Sequence, residues 1–427
     1  MKMTITPAKR LAGEIRVPGD KSISHRAIML GSIAQGDTYV DHFLMSEDCL
    51  STIRAFRQMG VPIQIIDSNS VIVKGQGLRG LKVPRSAIDV GNSGTTARLL
   101  TGLLSGQSFS STITGDESLR RRPMDRVIIP LRKMGAQVSG IQDRYLPLSI
   151  RGSTLKGIDY SMPMASAQVK SCLILATLYA DSPSFICEPA PSRNHTELML
   201  QAFGGRLETD GNLITAYPAG RLYSQQVHVP GDISSAAFFI TAGLLVPNSN
   251  IILKGVGLNP TRTGVLEVYK EMGGSIAIEN VSISGGEKRG DIIVKASHLK
   301  GTVIGGQLIP RLIDEIPVIA LAATQAEGTT IIKDAQELKV KESNRIATVV
   351  DLLSRLGASI EATDDGMVIH GPTPLKGNVA DSFGDHRLAM TAAIAGLIAR
   401  GETTINGWEC VNISFPGFYD MLKELQN

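Results

Sequence analysis

Two stretches of this chain combine a glycine turn, hydroxyl side chains and a basic residue in the way an anion site requires. Pro18-Gly-Asp-Lys-Ser-Ile-Ser-His-Arg26 reads as a tight turn into a helix, where Lys21, Ser22 and Arg26 add charged and hydroxyl donors to the helix amides. Gly91-Asn-Ser-Gly-Thr-Thr-Ala-Arg98 reads as a second helix start. Its two glycines let a ligand approach the backbone, and Asn92 and the threonine hydroxyls can cap the helix. Plain helix capping explains either stretch equally well, and the first lacks the Gly-x-x-x-x-Gly-Lys-Ser spacing of a nucleotide loop. More cations follow: Arg98, the run Arg120-Arg-Arg122 before Pro123, Arg193, Lys339, Lys341, Arg345 and Arg387. A formal net charge of only +3 does not point to nucleic-acid binding by a bulk field, whereas a local concentration of cations suits small anionic ligands.

What must position these residues is a unit repeated six times. Leu11, Leu78, Leu155, Leu222, Leu299 and Leu375 anchor the copies at intervals of roughly 67 to 77 residues. After each anchor comes a polar cluster: Pro18-Gly-Asp-Lys-Ser22, Pro84 leading to Gly91-Asn-Ser-Gly94, Pro163-Met-Ala-Ser-Ala-Gln168, Pro230-Gly-Asp-Ile-Ser-Ser235, Pro310-Arg-Leu-Ile-Asp-Glu315 and Phe383-Gly-Asp-His-Arg387. Between clusters a helix-like segment ends at glycine, in Met59-Gly60, Met134-Gly135, Phe203-Gly204, Met272-Gly273 and Leu356-Gly357, the residue that best takes a left-handed cap. The sixth passage is split: the helical Phe418–Leu425 ends the chain, and alternating strands at Thr4-Ile-Thr and Glu14–Val17 begin it. The tetrapeptide Val17-Pro-Gly-Asp20 returns as Val229-Pro-Gly-Asp232. The expected domains are therefore 19–230, and 1–18 with 231–427, joined by a double hinge near 18 and 230. The fourth copy has Ile233 where the first has Lys21, so it reads as hinge and helix cap.

Composition narrows the class. Hydrophobic residues make up 43% and charged residues 19%, as in ordinary globular proteins. The apolar runs, such as 388–399, are too short to span a membrane, and no signal sequence follows Met1. The four cysteines and seven histidines form no ligand spacing. The expectation is a cytoplasmic, metal-free monomer without nucleic-acid or membrane partners.

Taken together, Val-Pro-Gly-Asp-Lys-Ser-Ile-Ser-His-Arg26, Gly-Asn-Ser-Gly-Thr-Thr-Ala-Arg98, Leu-Arg-Arg-Arg-Pro-Met124, Ser-Ala-Gln-Val-Lys-Ser171, Lys339-Val-Lys-Glu-Ser-Asn-Arg-Ile346 and Gly-Asp-His-Arg387 resemble the 5-enolpyruvylshikimate-3-phosphate synthase family, in order from Lys9 to Leu425. The resemblance implies an α/β (α+β) fold of two domains, each an inside-out barrel of three βαβαββ repeats, closing on a central cleft. It implies enolpyruvyl transfer from phosphoenolpyruvate to the 5-hydroxyl of shikimate 3-phosphate with release of phosphate, by addition and elimination through a tetrahedral intermediate and without a cofactor. Glyphosate would then be a competitive inhibitor. By similarity, shikimate 3-phosphate would be held by Lys21, Ser22, Arg26, Ser166, Ala167, Gln168, Arg193, Asp314 and Lys341. Phosphoenolpyruvate would be held by Lys21, Asn92, Gly94, Arg122, Gln168, Arg345, His386 and Arg387. The catalytic residues would be Asp314 as base, with Lys21 and Glu342 as acid candidates.

Two positions depart from the family pattern. Ile413 stands where some members carry a lysine for phosphoenolpyruvate, so that Lys339 or Arg98 would have to compensate. Glu337 stands where some carry an asparagine. The alternative within the same architecture, UDP-N-acetylglucosamine enolpyruvyl transfer, calls for a cysteine near the basic loop, where this chain has Gly115-Asp-Glu-Ser118. A non-catalytic anion-binding protein would not need carboxylates beside anionic ligands. An RNA-end-processing enzyme on a related repeat fits poorly with 4% aromatic residues.

Overall fold

A computed structural model describes residues 1–284 and 286–426. The chain divides into two compact units. One comprises Gly19–Val229 with Ile283–Glu287, and the other Met1–Pro18, Pro230–Ser282 and Lys288–Asn427. They are called the Lys21 unit and the Asp314 unit below. Pro230 thus falls in the Asp314 unit, and 283–287 in the Lys21 unit.

The six anchors do one job. Leu11, Leu78, Leu155, Leu222, Leu299 and Leu375 are all buried. Each cluster after an anchor opens onto a helix that is buried on nearly every side and lies in the core. In the Lys21 unit these helices are Lys21–Ile33, Gly94–Ser105 and Ala167–Thr177. In the Asp314 unit they are Ile233–Leu245, Ile316–Thr324 and His386–Ile398. Ile233-Ser-Ser-Ala-Ala-Phe-Phe-Ile240 shows the pattern: small and large apolar side chains alternate around the helix, and every residue to Leu244 is buried.

The other helices, among them Glu47–Gln58, Asp125–Lys133 and Arg345–Arg355, are apolar on one face only. Five of this second kind stop at Gly60, Gly135, Gly204, Gly273 and Gly357, whose φ angles are 83°, 90°, 86°, 87° and 96°. The left-handed cap expected from the Met-Gly, Phe-Gly and Leu-Gly pairs is present in all five passages.

Sheets flank the buried helices. Among the described residues there are five four-stranded sheets and one three-stranded sheet. A typical one runs Gln226–His228, Gln35–Asp41, Val71–Gln76, Ile63–Ile65: the first pair is parallel and the others antiparallel. The first strand follows the fourth anchor, Leu222, so the sheet ties the end of the Lys21 unit's chain to its beginning. In the Asp314 unit Lys2–Ile5 pairs with Thr403–Asn406, and Ala12–Ile15 with Asn250–Gly257. The Ala12 amide also donates to the Leu425 carbonyl at 2.9 Å, at the end of the last helix. No helix of the described residues is long and apolar enough to cross a membrane.

Candidate active site

The polar clusters sit at the starts of the buried helices because their residues are caps. Asp20 accepts from the Ile23 amide at 2.9 Å, Asp232 from Ser234 at 2.8 Å and Asp385 from Arg387 at 2.9 Å. Ser93, not Asn92, caps the Gly94 helix, accepting from Thr96. Asn92 is instead a bridge: its amide donates to Asp116 and its oxygen accepts from Arg122, each at 2.7 Å. Asp116 in turn caps the short helix Glu117–Arg120.

In the Lys21 unit the starts of three helices are laced together. Lys21 Nζ lies 3.2 Å from Asp48 Oδ2. Arg98 donates to Gln168, whose amide donates to Thr95 at 3.1 Å. A Cβ on Gly94 would lie 3.1 Å from Arg98 Nη1 and 3.7 Å from Arg122 Nη1, so the glycine leaves two guanidiniums facing one spot. Arg26 is buried, donating to Thr196 at 2.6 Å, to Ser171 at 2.8 Å and to the Ser22 carbonyl at 2.9 Å. Burial pulls its pKa down to about 10; Glu197 and Asp20 oppose the fall and Arg193 adds to it. Arg193 itself is half-buried, in the loop before the helix His195–Ala202. Ser22, Ser166, Ala167 and Gln168 are half-buried as well. Arg120 and Arg121 are exposed, with Arg121 paired to Glu117 on the surface.

In the Asp314 unit four basic side chains surround one carboxylate and its neighbours. Asp314 is half-buried, with Arg345 at 3.3 Å, Lys341 at 4.0 Å and Arg387 at 4.0 Å from its oxygens. Arg387 also donates to the Asp314 carbonyl at 2.9 Å. Glu342 holds Arg345 at 2.6 Å, and the buried His386 lies beside Arg387. Arg345 is fixed from behind by Asp385, which accepts from its Nε at 2.8 Å and Nη2 at 3.2 Å. Burial would lower the Arg345 pKa, but Asp385, Glu342 and Asp314 together push it above the ordinary arginine value. Burial would likewise raise Asp385, and Arg345 reverses that, leaving it below the usual aspartate range. Glu315 turns the other way: it is buried and accepts from Ser234. The two adjacent carboxylates thus have different surroundings, and only Asp314 stands among several cations at the unit's surface.

The structure places nearly every residue singled out in the sequence within one turn of a helix start. Arg26 lies one turn in, and Arg122 lies between two short helices. Both departures from the family pattern have local explanations. Glu337 accepts from Lys341 at 3.0 Å, so it steadies a cation. Ile413 packs against the apolar core of its unit. Lys339 is exposed, and Arg98 is engaged with Gln168 and the Pro123 carbonyl in the Lys21 unit. Not anticipated were Asp48, Asp385 as the partner that fixes Arg345, Arg262, which donates to Asp232 at 3.2 Å and to Ser234 at 2.8 Å, and the buried ion cluster of Lys170 with Glu188 and Glu197, each at 2.7 Å. Lys170 carried a signal, a lysine inside the apolar run Val169–Ile174, where an unpaired charge is costly. The cysteines are all free: Cys49, Cys172 and Cys410 are buried and Cys187 is half-buried, and none lies in the 115–118 loop.

The model of the family described as EPSP synthase (3-phosphoshikimate 1-carboxyvinyltransferase) matches residues 5–422. A 3-phosphoshikimate 1-carboxyvinyltransferase of Thermoanaerobacter sp. (strain X514) is 56% identical over 425 residues, covering 99% of this chain and all of the relative. Its counterpart in Geobacillus kaustophilus (strain HTA426) is 56% identical over 423 residues, covering 98% and 99%. Among solved structures, an EPSP synthase from Acinetobacter baumannii is 46% identical with a TM-score of 0.90, covering 99% of this chain and 98% of that one.

Proposed function

The chain belongs to the EPSP synthase family, the 3-phosphoshikimate 1-carboxyvinyltransferases, and on that premise we propose how its residues share the reaction. It transfers the enolpyruvyl group of phosphoenolpyruvate to shikimate 3-phosphate in aromatic amino-acid biosynthesis. Asp314 takes the proton of the 5-hydroxyl as that oxygen attacks C2 of phosphoenolpyruvate. C3 gains a proton from Lys21 or Glu342, giving a tetrahedral intermediate. The C2–O bond to phosphate then breaks as C3 returns a proton, and phosphate leaves.

The observation that carries this reading is the setting of Asp314. A base for a hydroxyl must be reachable, and Asp314 has three cations within 4.0 Å while its side chain remains 16% exposed. The arginines suit the other demand, because their planar fork matches carboxylate and phosphate. Arg122, Arg345 and Arg387 bind phosphoenolpyruvate with Lys21, Asn92, Gly94, Gln168 and His386. Ser22, Arg26, Ser166, Ala167, Arg193 and Lys341 bind shikimate 3-phosphate, which Lys21, Gln168 and Asp314 also contact. Glyphosate competes with phosphoenolpyruvate at Gly94. The separate free thiols and the absence of any ligand-spaced cysteines support a cytoplasmic setting.

The test is phosphate release on mixing the protein with phosphoenolpyruvate and shikimate 3-phosphate, with UDP-N-acetylglucosamine as the control acceptor. Release is expected with the first acceptor only. Release with the control acceptor alone would reassign the enzyme.

A further inference from the structure

Lys170 sits in a helix whose other buried residues, from Val169 to Thr177, are apolar or small. Its ammonium is almost wholly enclosed, and its three protons have three acceptors: Glu188 Oε2 at 2.7 Å, Glu197 Oε1 at 2.7 Å and the Ser192 carbonyl at 3.3 Å. Two carboxylates and one lysine make a costly core, and well-packed apolar residues often serve stability as well or better. The cluster therefore calls for an explanation beyond holding the core together.

The three acceptors share one segment. Glu188 follows the strand Ser184–Cys187, Ser192 closes back on Glu188 through both its amide and its hydroxyl, and Glu197 lies in the following helix. His195 is clamped by Glu287 at 2.7 Å. Thr196 accepts from Arg26 and pairs with Ser171 at 2.6 Å, one residue on from Lys170. Arg193 stands in the middle of this segment, half-buried, between residues tied down on both sides. Arg26 reaches the same segment through Thr196, and the Arg193 charge disfavours the charged form of Arg26, so a polyanion that meets both would relieve the repulsion.

We infer that Lys170 is a positioning residue for shikimate 3-phosphate: through Glu188, Ser192 and Glu197 it fixes the loop that presents Arg193, together with Arg26, to the substrate's phosphate. This rests on the assignment of Arg193 and Arg26 to that phosphate. Lys170 touches no substrate. Its effect passes through backbone placement, where small displacements of a binding group lose large factors.

The test uses full-length enzyme and three variants. Lys170→Met removes the cation, Lys170→Met with Glu188→Gln and Glu197→Gln removes the stranded charges as well, and Lys170→Arg restores a cation of different reach. In the triple variant, KM for shikimate 3-phosphate should rise roughly tenfold or more, with kcat and the KM for phosphoenolpyruvate within a few-fold of wild type, the signature of lost ground-state binding. Lys170→Arg should recover part of that rise. Calorimetric binding of shikimate 3-phosphate alone should weaken in parallel. A folded triple variant with wild-type KM, equal rises for both substrates, or a triple variant that cannot fold overturns the inference. Inactivity of the wild-type protein towards shikimate 3-phosphate would instead defeat the functional reading.

Discussion

Asp314 and Glu315 are neighbours in sequence with opposite fates, and the difference is set by what each side chain meets. Glu315 is enclosed with Ser234; Asp314 is left at the surface of its unit among Arg345, Lys341 and Arg387. Gly94 makes the same point by omission. A methyl there would press on Arg98 Nη1 at 3.1 Å and approach Arg122 Nη1 at 3.7 Å. Gly94→Ala should weaken inhibition by glyphosate, which is longer than phosphoenolpyruvate, more than it raises the KM for phosphoenolpyruvate. Steady-state inhibition and substrate titrations check this, and equal losses would contradict it. His25 supplies a pH effect. It is buried, hydrogen-bonded to Thr52 at 2.7 Å, and burial, then Lys21 and Arg26, hold its pKa well below the ordinary histidine value of 6.5. The unfolded chain therefore takes up a proton below about pH 6.5 that the folded chain refuses. Stability is unaffected above that pH and falls below it, by at most about 1.4 kcal/mol per pH unit from this group. Urea unfolding between pH 5 and 7 should show a shallower loss for His25→Gln than for wild type.

At the scale of elements, the sequence is most legible where structure is local. The anchor leucines, the helix start after Pro18-Gly-Asp20 and the five helix-ending glycines follow from short-range rules, and the structure has them all. One cap was off by a residue, Ser93 for Asn92, because both types cap and only geometry separates them. Two- and three-residue strands such as Ile88–Asp89, Val303–Ile304 and Gln226–His228 were not legible. They exist only through pairing with partners elsewhere in the chain. Lys170 was visible as an anomaly, but its partners lie 18 and 27 positions away and are brought to it by the fold. The buried helices also depend on close approach. A Cβ on Gly102 would lie 2.2 Å from the Cys172 carbonyl oxygen of the neighbouring helix. Gly102→Ala must push those helices apart, at a cost of roughly 1–3 kcal/mol, and should lower the melting temperature by several degrees in calorimetry; an unchanged value would show that the contact yields freely.

For the whole molecule, the six repeats divide into two units that each bring three buried helix starts together, with different chemistry. The Lys21 unit is equipped to hold anions. The Asp314 unit adds the partly buried carboxylate on which the proposed proton transfer depends. If both serve one reaction, shikimate 3-phosphate and phosphoenolpyruvate together should slow amide hydrogen exchange at 91–98 and 166–171 in one unit and at 341–346 and 385–388 in the other. Protection confined to one unit would break that link. The most direct measurement is turnover by Asp314→Asn, which keeps the shape and hydrogen-bonding capacity of the side chain but removes the base. Its kcat should fall roughly a hundredfold or more while the melting temperature stays within a few degrees of wild type. Turnover close to wild type, or a protein that no longer folds, would contradict Asp314 as the base.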